Sequence, residues 1–360
     1  MATYVATALN DPSLFFNTVL FTGDGTDDRA ITVGFQPDLS FVLQRTDASG
    51  GYITDSVRGN NAALQTTNTN AEGTFADMTF TSTGITVSSN ENLNNEDAHN
   101  YVSWHWKAGT SFSNDASATS IGDVDSSGSI SQTSGFSICS YSGSGSSGDT
   151  IKHGLSTAPK MIIIKKRSAS DNWTILNTNI SLNTHLHFTT DGAVSDPMFT
   201  NTAPTTSVFT LDSDGQVNES GHTFIAYCFS EVQGYSKFGS YVANGNANGN
   251  FIYTGFKPAF LTIKNTSTGS TNWPIKDNKR SGTAANQNFG QMNPNQIENP
   301  GFNTTDAENK ASAFAIDLLS NGFKLRGTDN AINNSGDTYI YMCFAESSFV
   351  NSNGVPVNAR

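Results

Sequence analysis

Two histidines one residue apart, His185 and His187, are the side chains of this chain most suited to chemistry. On a β-strand both imidazoles point to one face of the sheet, and a neutral imidazole is a common metal ligand. Two nitrogens cannot complete a site alone, so three chains meeting on an axis would have to share the metal. The competing interpretation is a polar face beside the turn at Asp191-Gly192, and we favour it over the metal site.

Acidic clusters offer two further possibilities for a metal or for acid catalysis. The run Asp123-Val-Asp125 begins like an EF-hand loop, but Ser134 stands where the loop needs an acid, and no helix flanks it. The acids of 24–28 crowd a Gly-rich turn whose counterparts later in the chain carry Ser and Asn, which favours turn chemistry. No nucleophile, phosphate-loop or paired-carboxylate motif is present. We therefore expect no enzyme, no catalytic residue and no cofactor.

Tryptophans are candidates for binding a sugar, because aromatic rings stack on saccharides. Trp104 and Trp106 share one face of a strand, while Tyr52, Trp173 and Trp273 recur at one place in repeated sequence segments. Recurrence favours core anchors, since large aromatic residues dominate core burial. A ligand-binding role for the four tryptophans remains the alternative.

The three cysteines, Cys139, Cys228 and Cys343, have no C-x-x-C spacing, so they indicate neither a disulfide framework nor a zinc site. Cys228 and Cys343 align with each other and with His105. A position that accepts both residue types is typical of a small buried slot, and free cysteine is commonly buried.

Composition indicates a folded all-β protein. Only 14% of residues are charged, and Asn, Ser, Thr and 32 Gly fill much of the chain, which suits short strands joined by tight turns. A net charge of −12 argues against nucleic-acid binding. The N-terminus lacks the features of a signal peptide, and no apolar run is long enough to cross a bilayer. We expect synthesis in a cytoplasm and no membrane insertion.

One sequence unit occurs three times. Each copy reads as a strand, a Gly-rich turn, a strand, a Gly-and-Pro corner and a strongly apolar strand, and it closes on an alternating aromatic strand. This spacing predicts three tandem antiparallel β-sandwich repeats of jelly-roll-like type. The predicted divisions are an N-terminal arm (1–13), repeat 1 (14–109), a Ser-rich linker or extended arm (110–134), repeat 2 (135–232), repeat 3 (233–349) and a C-terminal tail (350–360).

Four phrases carry a resemblance to a known family: Gly154–Arg167, Phe224–Tyr241, Leu319–Arg326 and Tyr101–Gly109. They resemble a domain of unknown function that is widespread in marine phage genomes, including those of cyanophages and pelagiphages. The likeness covers roughly 100–349 well and the first copy more loosely. It implies a virion or tail-fibre-associated module and no catalytic residues.

These observations together predict a structural protein of a phage particle, located in the virion. We expect a tail fibre or tail-associated protein that contacts a host surface glycan or receptor, binds other virion proteins and forms a homo-oligomer, because repetition adds avidity to a weak site. A capsid decoration or cement protein is the alternative. An envelope polysaccharide depolymerase is the second alternative.

Overall fold

The computed structural model describes residues 9, 11–47, 50–74, 77–88, 93–280, 294–295 and 314–347. Its first segment begins with a 3-10 helix, Pro12–Leu14, capped by Asp11. Eight strands follow: β1 (Phe16–Thr22), β2 (Arg29–Thr32), β3 (Leu39–Gln44), β4 (Tyr52–Asp55), β5 (Leu64–Gln65), β6 (Met78–Thr81), β7 (Gly84–Val87) and β8 (Asn100–Trp106).

The second segment contains nine strands and two short helices. These are β9 (Thr110–Asn114), α1 (Ala116–Thr119), β10 (Ser126–Ser131), β11 (Phe136–Ser142), β12 (Thr150–Lys152), β13 (Met161–Lys166), β14 (Trp173–Asn177), β15 (Leu186–His187), β16 (Val208–Thr210), α2 (Gly215–Asn218) and β17 (Thr223–Phe229).

The third segment contains the remaining strands and one helix. These are β18 (Ser236–Val242), β19 (Phe251–Tyr253), β20 (Phe260–Asn265), β21 (Ile275–Asp277), β22 (Pro294–Asn295), β23 (Ile316–Leu319), β24 (Gly322–Leu325), α3 (Asn330–Asn333) and β25 (Thr338–Phe344). The ladders between the described strands are antiparallel, with one isolated parallel bridge between Val124 and Ile151, so the predicted all-β, sandwich-like class is confirmed.

The same strand order appears in all three segments. The inner sheets run β1-β8-β3-β4-β5, β11-β17-β13-β14-β15 and β18-β25-β20-β21, so the first strand always pairs with the last and the last pairs with the long apolar strand. The outer sheets are β2-β7-β6, β12-β16 and β19-β24-β23-β22. Each outer sheet lies against one face of its own inner sheet, and a separate hydrophobic cluster fills each of these three spaces.

The opposite faces of the three inner sheets meet in one central core. Alternate residues of the closing strands β8, β17 and β25 enter it, and the intervening residues face the outer sheets. The closing strands are therefore buried on both faces beyond their first residue. This explains why the residues between the aromatic ones in these strands are mostly apolar or small, unlike those of a sheet with one face in water.

Buried polar contacts join the segments around this core. The Tyr227 hydroxyl donates to Asp55 Oδ2 at 2.7 Å, and Trp104 Nε1 donates to Asp277 Oδ2 at 3.3 Å. Each aspartate is paired with an arginine three residues later, Arg58 or Arg280, and all four side chains are fully buried. Because buried polar groups cost free energy unless they are bonded, these contacts fix how the segments face one another.

The structure differs from the sequence expectation at the Ser-rich stretch 110–134. Instead of a linker, it forms β9, α1 and β10, and β10 pairs with β11 along the edge of the second inner sheet. Ladder hydrogen bonds need only backbone groups, so a strand can form from small residues when a neighbouring sheet edge offers partners. In the part of the chain that the structure describes, no helix is long and apolar enough to cross a membrane.

Candidate functional site

The four tryptophans are core residues. Trp104, Trp106, Trp173 and Trp273 are each at most 2% exposed and all enter the central core. Three of the indole nitrogens bond across segments: besides Trp104, Trp173 Nε1 donates to the Gln65 carbonyl and Trp273 Nε1 to the His187 carbonyl, both at 2.9 Å. In this fold no tryptophan face is offered to a sugar.

Tyr52 does not share the place of Trp173 and Trp273, as the repeated sequence suggested. It is buried between the inner and outer sheets of the first segment, whereas the two tryptophans face the central core. A shift of one residue along a strand moves a side chain to the opposite face. Gly51, one residue before Tyr52, occupies the place of the two tryptophans. A side chain at Gly51 would meet the ring of Phe41 in the central core.

The histidine pair lies inside the protein instead of on a polar surface. His185 is 1% and His187 9% exposed. Their Nε2 atoms are 3.1 Å apart, and His187 Nε2 is 2.8 Å from Gln216 Oε1. Burial is the main cause that lowers the pKa of His187, so its imidazole is neutral at pH 7. A shared metal on an axis between chains would require these rings to face outward, which they do not.

The acids of the EF-hand-like run serve the local backbone. Asp123 Oδ2 accepts from the Thr150 amide and hydroxyl at 2.9 and 2.6 Å, and Asp125 Oδ1 accepts from the Ala116 amide at 2.8 Å. Among the described residues, no three His, Cys, Asp or Glu side chains are grouped as metal ligands. These carboxylates therefore hold turns together.

A polar groove of about 290 Å³ opens on the second segment, lined by serines, Asp115 and Asp125. Hydrogen bonds from the Ser117 hydroxyl and the Ala118 amide lower the pKa of Asp115. A general acid for glycoside cleavage needs the opposite shift, because it must hold a proton near neutral pH. All the lining residues belong to one segment, so this groove does not bring acids together from different parts of the fold.

An exposed aromatic face lies on the third segment, at the edge strand β19. We define this face by Val242, Phe251 and Tyr253, which are 56%, 46% and 65% exposed. Phe251 and Tyr253 flank the buried Ile252 and so point to the same side of the strand. Asn250 Nδ2 donates to the Val242 carbonyl at 2.9 Å and joins the end of β18 to the start of β19.

The neighbouring strand approaches β19 closely through a glycine. Gly322 of β24 pairs with Tyr253, and a side chain added at Gly322 would collide with the Ile252 carbonyl and then meet the ring of Phe251. Among the described strands, β19 has a neighbour on one side only. Protein edges usually carry charges or short polar strands that discourage association, so large exposed rings at this edge indicate a contact surface.

The other two segments lack this face. Ile31 and Ile151 occupy the place of Ile252, since each is the buried middle residue of an outer edge strand. The flanking residues are Ala30 and Thr32 in the first segment, Thr150 and Lys152 in the second, and Phe251 and Tyr253 in the third. The shared fold therefore does not need aromatic residues here.

An amide-rich turn borders the aromatic face. Asn244, Asn246 and Asn248 are exposed, and the carbonyl oxygens of the first two side chains accept from the backbone amides two residues on. The stretch 241–256 contains no charged residue, whereas the corresponding stretches 21–35 and 141–155 contain several. Uncharged amides next to aromatic rings can bond hydroxyl groups and pack against C–H faces at the same time.

Sequence reasoning missed this face because it concentrated on tryptophan and on residues that recur. The signal in the sequence was a difference between the copies. Phe251 and Tyr253 flank an apolar residue beside an uncharged Asn-rich turn, and the two similar stretches of the chain have no such aromatic pair. Comparing the copies for differences would have found it.

The fold and this face together define an all-β, sandwich-like protein with a buried aromatic centre and an exposed aromatic edge strand. Residues 11–348 match the model of a family described as a domain of unknown function, DUF7483, and the chain belongs to that family. Neither a curated protein nor a solved structure matches it.

Proposed function

We propose that this protein is a non-enzymatic component of a phage particle that binds a neutral saccharide of the host surface through the aromatic face of β19. The observation that carries the proposal is the exposure of Phe251 and Tyr253 on an edge strand whose two counterparts carry small or polar residues. The phage context rests on the sequence resemblance described above.

The chemistry of the face favours a saccharide over a charged partner. Aromatic rings pack against the C–H face of a sugar, and the exposed amides of Asn244, Asn246 and Asn248 can donate to its hydroxyl groups. The turn itself has no charged residue, and the Arg326 guanidinium that lies 3.5 Å from Asn248 Oδ1 is paired with Asp317, which fits a neutral ligand. Pre-formed aromatic contacts lose little conformational freedom on binding, because such side chains have few rotatable bonds.

The remainder of the fold suits a rigid support. All three inner sheets share one core, so the face on the third segment is held by the whole described chain. A tail fibre or other tail-associated protein is the location that we favour, with one weak site per chain multiplied by oligomerisation. Other virion proteins would hold the chain in place.

A binding experiment with a matched pair of variants tests the proposal. The double variant Phe251→Thr, Tyr253→Lys copies the second segment's Thr150 and Lys152, so the fold should tolerate it. We expect the wild-type chain to bind at least one saccharide on an array of neutral glycans and host envelope polysaccharides, and the double variant to bind it at least tenfold more weakly. The control variant Ala30→Ser, Thr32→Ala, on the corresponding strand of the first segment, should bind like the wild type.

Equal binding by the aromatic variant would overturn the proposal, as would failure of the wild-type chain to bind any saccharide. Release of reducing sugars from the polysaccharide would indicate a depolymerase instead. Counting copies per purified particle by quantitative mass spectrometry distinguishes a tail fibre from a capsid decoration protein. A decoration protein covers the whole capsid, whereas a fibre is present in few copies.

A further inference from the structure

The cluster of His185, His187 and Gln216 has the arrangement of a metal site within one chain, and we propose that it binds a late first-row divalent cation such as Zn²⁺. β15 is an edge strand of the second inner sheet; His185 immediately precedes it and His187 is its last residue. Gln216 belongs to the helix α2, and its side chain reaches His187. This site is independent of the aromatic face and belongs to a different segment.

His187 Nε2 already faces both of the other donor atoms. The Nε2 atoms of His185 and His187 are 3.1 Å apart, and the second lies 2.8 Å from Gln216 Oε1. In tetrahedral coordination, ligand atoms about 2.0–2.1 Å from zinc lie roughly 3.4 Å from each other. Outward movements of a few tenths of an ångström would therefore admit the ion.

The tautomer of His185 leaves a lone pair pointing at the other two donor atoms. His185 Nδ1 is 2.9 Å from the Asp196 carbonyl, which only accepts, so Nδ1 carries the proton and a neutral ring has its lone pair on Nε2. His187 Nε2 has at most one proton to give to His185 Nε2 or to Gln216 Oε1, and Gln216 Oε1 also accepts from the Thr174 hydroxyl. Once the His187 proton moves to Nδ1, both imidazoles and the amide oxygen can offer a lone pair to one cation.

The bond from His185 to Asp196 also matches the support that metal-binding histidines use. Such histidines usually donate the second ring nitrogen to a carbonyl or carboxylate, which fixes the tautomer and orients the ring. Gln216 is held by a hydrogen bond from the Thr174 hydroxyl at 3.2 Å. Gln216 is only partly buried, so an ion and a water ligand for the fourth position can enter beside it.

The described positions that can be compared in the other segments carry different residues. In the first segment Ala63 forms the bridge that corresponds to that of His185, and Gln65 follows Leu64 as His187 follows Leu186. In the third segment Ala331 takes the place of Gln216, since each amide bonds the capping aspartate of its short helix. At these compared positions the three donors belong to the second segment, as expected for a site and not for a requirement of the fold.

Metal titration of the full chain, stripped with chelator, tests the inference. We expect one Zn²⁺ per chain by isothermal titration calorimetry, a rise in Tm with Zn²⁺, and a visible absorption band when Co²⁺ is used as the probe. His185→Ala and His187→Gln, which copy Ala63 and Gln65, should abolish the Co²⁺ band. Gln216→Ala, which copies Ala331, should weaken Zn²⁺ binding at least tenfold.

The partly exposed His222, changed to Gln, is the matched control and should bind Zn²⁺ like the wild type. Circular dichroism of each variant without metal shows whether it is folded. Absence of stoichiometric Zn²⁺ binding in the wild type would overturn the inference. So would unchanged binding in the folded His187→Gln and Gln216→Ala variants, which would place the ion elsewhere.

Discussion

Trp106 of the first segment and Phe344 of the third meet edge to face, with 5.6 Å between their ring centroids. Phe229 of the second segment completes a triangle, 6.5 Å from Trp106 and 5.9 Å from Phe344. Each is the last residue of its closing strand, β8, β17 or β25. The last residues of the three closing strands therefore meet at the centre of the protein.

This triangle predicts that the segments unfold together. Phe344→Ala should lower the free energy of unfolding by about 3–5 kcal/mol, because it removes a fully buried ring and leaves a cavity among its neighbours. Denaturant unfolding followed by fluorescence and by circular dichroism should give one coincident transition for both the wild type and the variant. The exposed Leu14→Ala variant serves as the control and should change little. Separate transitions in the wild type would show that the segments are independent.

The buried ion pair of Asp55 and Arg58 can be tested by replacing it with the residues found at the corresponding positions of the second segment. Arg58→Met should cost about 3–5 kcal/mol, because it leaves the Asp55 carboxylate buried without its cation. In the second segment the corresponding residues are Asn177 and Ile180, since Asn177 pairs with Met161 as Asp55 pairs with Leu39.

The double variant Asp55→Asn, Arg58→Ile should therefore recover most of the stability lost in Arg58→Met. A double-mutant cycle built from the single variants Asp55→Asn and Arg58→Ile and this double variant, measured by denaturant unfolding, checks this. A double variant as unstable as the sum of its single changes would mean that the ion pair is specifically required at the contact with Tyr227.

Buried lysines predict a rise of stability in mild alkali. Burial lowers the pKa of both Lys165 and Lys264 from 10.5 to about 8. Below pH 8 both lysines are protonated in the folded and unfolded states. Between pH 8 and 10.5 the unfolded chain keeps protons that the folded chain has lost, so stability rises with pH in this window. We expect about 1–2 kcal/mol per lysine between pH 8 and 9.5.

The measurement is the free energy of unfolding across that range, compared with Lys264→Leu. Leu43 occupies the corresponding position of the first segment: it pairs with Val102 of β8 as Lys264 pairs with Ile340 of β25. The variant should show a shallower rise than the wild type. An identical rise in both proteins would assign the pH dependence to other groups.

The three cysteines should be inert in the folded protein. All are buried, and burial raises the pKa of Cys139 to about 12 and places the pKa values of Cys228 and Cys343 well above their usual range. Since the thiolate is the reactive form, an aromatic disulfide reagent at pH 8 should label no thiol in the native chain and three after unfolding in guanidinium. An added cysteine at the exposed Ser146 should react at once, and rapid native labelling of Cys139 would contradict its burial.

Much of the local structure could be predicted from the sequence because it depends on neighbouring residues. Alternating aromatic residues place a strand at Thr338–Phe344, and the aromatic residues that recur along the chain reflect the strand order that recurs in the structure. The buried slot predicted for Cys228 and Cys343 is also present, since both thiols lie between their inner and outer sheets. Strand period, turn residues and repetition are properties of short stretches, and they remain readable without contacts distant in sequence.

What faces each strand was decided only by the tertiary structure. The alternation that places Trp104 and Trp106 on one face does not say whether that face meets water, a ligand or two other sheets. The same holds for His185 and His187, which are buried beside Gln216 of the helix α2. It also holds for Phe251 and Tyr253, which are exposed because β19 is the edge strand of its sheet. Burial depends on which distant segment packs against a strand, and a pattern with a period of two residues contains no information about that segment.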